Sequence, residues 1–162
     1  MAKIQETVVI ACAKETVWDC LKQPSHLELF HPFCKENTPL RWNDLEEKID
    51  VLVYLNGLTY KRVFIAWNEE RFTLIIHRKE KPIAKVTWWV HEHEKQTEVR
   101  IEIEPKANSF WLKLLYPFLV PLKLKPKLKE YLKSVLTGLK YYIENKQPTP
   151  RNLLGKHPWF SA

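Results

Sequence analysis

Glycine is nearly absent from this chain, with three residues in 162. Phosphate-cradling loops need several glycines so that backbone N–H groups can crowd the anion, and neither a P-loop nor a dinucleotide fingerprint occurs. The Gly-x-Ser-x-Gly elbow of serine hydrolases and the His-Glu-x-x-His helix of metalloproteases are missing too. Cysteine is sparse: Cys12, Cys20 and Cys34 make no C-x-x-C pair and no His/Cys cluster, which removes the usual zinc spacings. The odd count points to a reducing cytoplasm rather than a disulfide framework. No apolar run reaches the ~20 residues that span a bilayer. The run Thr7–Ala13 is too short, and too close to Glu6, for a secretory core. No metal and no cofactor is expected.

What the chain does have is apolar and aromatic mass. Apolar residues make up 45% of it, among them seven Trp, seven Phe and six Tyr. That is enough for one domain of ordinary size to bury a core without crosslinks. The net charge of +7 is uneven: residues 105–162 carry eleven Lys/Arg against two Asp/Glu, while the preceding part is slightly acidic. Nucleic-acid grooves interleave basic residues with exposed aromatics. Here the lysines lie along the outer side of a helix, so a solvated face is the preferred reading and a nucleic-acid partner is not expected.

The local patterns set the order of elements. Ile4, Val8 and Ile10 alternate with polar neighbours as a first strand, and Val17, Trp18 and Leu21 then change to helical spacing, ended by Pro24. Ser25 and Glu28 have the spacing of a capping box, which places a second short helix up to about Phe30. Residues 41–104 read as consecutive strands. Val51, Val53 and Leu55 alternate before the hairpin signal Asn56-Gly57. Val63, Ile65 and Trp67 follow, then Phe72, Leu74 and Ile76, then Val86, Trp88 and Val90, then Val99, Ile101 and Ile103. Joined by tight turns, such strands form an antiparallel meander, since parallel pairing needs long crossovers. After Pro105 the period becomes helical, and Leu128, Leu132, Val135, Leu136, Leu139 and Ile143 predict one long amphipathic helix with Pro126 in its first turn.

This order, together with the opening VVIACAKETVWDCLKQPSHLELFHPF, resembles the START/SRPBCC superfamily, which includes the birch pollen allergen, polyketide cyclases and lipid-transfer domains. The residues that carry the likeness are Ile10, Val17, Trp18, Asp19, Leu21, Pro24, His31 and Pro32, with Arg62-Val63, Trp67 and Arg71-Phe72-Thr73-Leu74 in the middle strands. The resemblance covers about residues 4–146. It implies an α+β helix-grip fold: a curved antiparallel sheet of about seven strands around a long C-terminal helix, with two short helices after the first strand. Residues 1–146 then form a single helix-grip ligand-binding domain, and 147–162 an extended C-terminal tail pinned by Trp159 and Phe160. A hydrophobic small molecule, lipid-like or aromatic, is the implied partner, held in a cavity between sheet and helix. Trp67, Trp88, Trp111, Tyr131, Val135, Gly138 and Tyr142 are its candidate lining.

Some residues admit two readings. Gly138 either leaves room for a ligand between Tyr131 and Tyr142 or marks close packing. His31 reads as a packed or capping histidine in preference to a functional one, and His91 with His93 as a solvent-facing pair in preference to a metal site. The apolar, proline-broken run Phe110–Leu124 either closes the cavity or lies on a membrane, where the neighbouring lysines give weak contact with an anionic surface. A carrier is the first reading. A polyketide cyclase or aromatase, and a protein-interaction module of the co-chaperone type, are the alternatives. The oligomeric state stays open.

Overall fold

The computed structural model describes residues 3–43, 47–106 and 124–162. Strand β1 (Ile4–Ile10) is followed by helices α1 (Lys14–Leu21) and α2 (Leu27–Phe30). Then come β2 (Cys34–Trp42), β3 (Lys48–Tyr54), β4 (Thr59–Trp67), β5 (Arg71–Arg78), β6 (Lys81–His93) and β7 (Gln96–Pro105). Helix α3 (Lys125–Asn145) ends the regular structure. The seven strands form one open sheet in the order β1-β7-β6-β5-β4-β3-β2, antiparallel at every pairing. With the long C-terminal helix packed along β1 and against β7 and α2, this is the helix-grip α+β fold.

The turns are made with little glycine. Gly57 supplies the positive φ of the β3–β4 hairpin, but the β5–β6 and β6–β7 turns place Lys79, Glu80, Glu94 and Lys95 in the left-handed region. Non-glycine residues tolerate that region at a cost of about 1–2 kcal/mol each, which sheet pairing on both sides offsets. In α3 Pro126 sits in the first turn, and the 21-residue helix is about 32 Å long. Leu128, Leu132, Val135, Leu136 and Leu139 form its buried stripe, while Lys125, Lys129 and Lys133 are exposed.

Two local expectations need correction. The strand region begins earlier than residue 41, because β2 starts at Cys34. It is an edge strand that carries Pro39 and two register shifts, so alternation is broken where it could have been read. The capping box does not form: Ser25 is left-handed, His26 precedes α2 without a side-chain cap, and the Glu28 carboxylate instead accepts from Asn37 N at 3.2 Å.

The alternation in β3 and β4 left their facing open, and the structure decides it. In β3 the buried set is Lys48, Asp50, Leu52 and Tyr54, while Ile49, Val51 and Val53 are half-buried on the other side. In β4 the buried pair is Arg62 and Phe64, and Ile65 is 57% exposed. The apolar alternation that marks these strands therefore belongs to their outer face. Asp50 and Arg62, directly paired across the ladder, point in together. A bulge between Phe64 and Ala66 then re-aims the end of β4.

Candidate functional site

Between the inner face of the sheet and α3 lies a cavity of about 220 Å³. Leu74, Val86, Trp88, Ile101 and Ile103 from β5–β7 line one wall, and Leu128, Leu132 and Val135 from α3 face it. Pro105 and Leu124, which border residues 107–123, also contribute. The polar lining comes from another quarter: His31 after α2, Tyr54 on β3, Tyr60 and Arg62 on β4, and Tyr131 on α3.

These polar groups form two short chains of hydrogen bonds. Phe33 N–H donates to His31 Nδ1 at 3.2 Å, so the ring hydrogen sits on Nε2 and is given to the Tyr131 hydroxyl at 2.9 Å. The Tyr131 and Tyr54 hydroxyls are bonded at 2.9 Å. In the second chain Arg62 grips Asp50 with two prongs, Nε to Oδ1 at 2.7 Å and Nη2 to Oδ2 at 2.5 Å. His26 holds its Nδ1 hydrogen toward the Gln23 carbonyl at 2.9 Å, which leaves Nε2 as an acceptor 3.2 Å from Arg62 Nη2.

The electrostatics follow from burial. Burial, and then the Arg62 charge, push His26 and His31 down to about 3, so both rings are neutral at physiological pH. Burial works to raise the Asp50 carboxyl, but the attraction and hydrogen bonds of Arg62 outweigh it and hold Asp50 below the usual carboxylate range. Burial raises Tyr54, Tyr131 and Tyr60, with the neighbouring Tyr131 adding to the effect on Tyr54. The site thus holds one paired cation, one paired anion and neutral donors.

The C-terminal residues close this side. Thr149 N donates to Leu29 O, Asn152 N to Pro32 O, and the Asn56 side-chain amide to Trp159 O. His157 Nε2 lies 3.0 Å from Lys127 O. These anchors carry Phe160 into the core, where its ring centroid is 4.3 Å from that of Tyr54 and 4.6 Å from that of Tyr131. Trp159 and Phe160 both line the cavity.

Of the residues singled out from the sequence, Trp88, Tyr131 and Val135 line this cavity. Trp67 does not: it stacks on Phe72 at 4.6 Å and packs beside Trp18 in the aromatic core, aimed there past the β4 bulge. Trp111 lies outside the described residues, as does almost all of the run Phe110–Leu124. Gly138 makes no room for a ligand, because a Cβ there would collide with the Phe30 carbonyl oxygen and fall 3.0 Å from the Pro32 ring. Its role is a close approach of α3 to α2, and Tyr142 sits half-buried against the core rather than in the cavity. His91 and His93 are exposed on β6. His31, read as a packed histidine, is buried and also faces the cavity. Tyr54, Tyr60, Arg62 and the cavity role of Phe160 went unseen. The hairpin signal would not have found them: a two-residue turn at Asn56-Gly57 sets Arg62 opposite Val51, whereas the longer loop that forms sets it opposite Asp50.

Among the described residues no group of three His, Cys, Asp or Glu could hold a metal, and no helix is long and apolar enough to cross a membrane. No protein-family model and no curated protein matches the sequence. Solved structures do match in shape. A START superfamily protein from Mycobacterium smegmatis superposes with a TM-score of 0.67 at 14% identity, over 90% of this chain and 99% of that one. A protein from Thermus thermophilus gives 0.66 at 14% identity over 90% and 99%. DynU16, from the dynemicin biosynthetic locus, gives 0.67 at 10% identity over 91% of this chain and 49% of its own. Identities this low speak to fold alone, and with the strand order and the gripped helix they show that this chain has the helix-grip fold of the START/SRPBCC superfamily.

Proposed function

We propose that the protein binds a small hydrophobic molecule without transforming it, as a carrier or sensor. The observation that supports this reading best is the cavity itself, walled mainly by aliphatic and aromatic side chains. Its volume of about 220 Å³ is below the ~300–1,000 Å³ of pockets for drug-sized ligands, so a one- or two-ring aromatic or a short chain fits better than a phospholipid. A protein-interaction module would have little need of such a space.

A second reading, a polyketide-cyclase-type enzyme, draws on the convergence of His31, Tyr54, Tyr131 and Arg62 and on the neighbour from the dynemicin locus. General acid–base catalysis works best with groups that titrate near the working pH. Here His31 is pushed down to about 3 and both tyrosines are pushed up. Groups so placed orient a ligand better than they exchange protons with it, which favours binding. Native mass spectrometry of the freshly purified protein, followed by extraction, tests the choice. A co-purified apolar compound recovered unchanged supports the carrier, and a protein that neither retains a compound nor binds a neutral apolar dye overturns it.

A further inference from the structure

The polar side of the cavity has one more hydrogen than it has places to put it. His31 Nε2, Tyr54 and Tyr131 bring three hydrogens, and two hydrogen bonds join them. Whichever way the two phenols are turned, one phenolic hydrogen remains without an acceptor among the described residues. His31 Nδ1 cannot take it, being occupied by Phe33 N–H. Arg62 adds a second surplus: its Nε and Nη2 are used by Asp50 and His26, while Nη1 makes no bond to the described residues. Both groups line the cavity, and both are donors. Donors on a cavity wall that are not matched by the described residues are best met by a ligand acceptor, so the complementary ligand brings one.

Charge decides which kind of acceptor. The Arg62 cation is neutralised by Asp50, which is fully buried beside it. His26 and His31 stay neutral. A carboxylate seated here would lose its hydration and find no unpaired cation in return. A neutral oxygen loses far less and satisfies the surplus donors. Resting on the small-molecule reading above, we infer that the ligand is an uncharged apolar molecule carrying a carbonyl oxygen, a ketone or ester, held against Tyr54, Tyr131 and Arg62. The lining from β5–β7 is apolar, so the ligand carries no second polar end toward those strands.

The test uses full-length protein loaded with aminonaphthalene, a neutral fluorescent probe, and three competitors of equal bulk: acetylnaphthalene, isopropylnaphthalene and naphthoate. The ketone is expected to bind about 3–10-fold tighter than its hydrocarbon isostere, the yield of one added hydrogen bond, with naphthoate weakest. The carbonyl infrared band of bound acetylnaphthalene is expected below its position in hexane. In the Tyr54→Phe/Tyr131→Phe double variant the preference for the ketone narrows. A hydrocarbon that competes as well as the ketone, a naphthoate that competes better, an unshifted carbonyl band, or an undiminished preference in the folded double variant would overturn the inference while leaving the cavity reading intact. If the probe and all three competitors fail to bind, the small-molecule reading itself falls, and the inference with it.

Discussion

Mild acid should destabilise this protein through two buried histidines. His26 and His31 are almost fully buried and pushed down to about 3, against about 6.5 in an unfolded chain. Below about pH 6.5 the unfolded chain takes up two protons that the native state refuses, so stability is fully present above that value and falls toward about pH 3. Between about pH 7 and pH 5 the loss is about 2 kcal/mol for each ring, or about 4 kcal/mol together. For a domain with roughly 5–15 kcal/mol in total, that is a large fraction. Asp50, held below the usual carboxylate range, contributes stability above about pH 4 that is lost only on further acidification, so it leaves this window untouched. Urea unfolding followed by tryptophan fluorescence at the two pH values measures the effect. His26→Gln and His31→Gln should each remove about half of the pH dependence, whatever they do to stability at neutral pH. A wild-type loss under about 1 kcal/mol, or an unchanged slope in the variants, would refute the reasoning.

Three further outcomes follow from contacts in the fold. Asp50→Ala strands the Arg62 guanidinium and should cost about 3–5 kcal/mol in urea unfolding, while the double change Asp50→Leu/Arg62→Met recovers much of that; equal losses would contradict the pair as described. Gly138→Ala forces α2 away from α3 and should cost about 1–3 kcal/mol by the same measurement, because the obstacle is the Phe30 carbonyl rather than a flexible side chain. Phe160→Ala removes the ring stacked on Tyr54 and should lower stability by about 3 kcal/mol; stopped-flow release of aminonaphthalene should also quicken, and unchanged release would show that the tail does not close the cavity.

The element order was legible because it rests on local periods. Val99, Ile101 and Ile103 are buried against Glu98, Glu102 and Glu104 at a period of two, and the α3 stripe repeats at helical spacing, so neither needs a distant partner to be read. Two of the three retained cavity residues, Tyr131 and Val135, come from that helix. Strand β2 was not legible, since Pro39 and two register shifts erase its period.

The sequence by itself determined most of the architecture: every strand but β2, where the hairpin near Asn56-Gly57 turns, and which long helix the sheet must cover. Only the tertiary structure decided what faces the cavity. Both faces of β3 and β4 carry apolar residues, so a period of two marks a strand without saying which side is in. The choice falls to a non-local requirement: Asp50 and Arg62 are tolerated inside because each meets the other and His26 supplies a third partner. Likewise, Gly138 and Phe160 acquire their roles from α2 and from Tyr54, far away in sequence. Local spacing cannot carry such information, since a contact between distant segments exists only once the chain has folded.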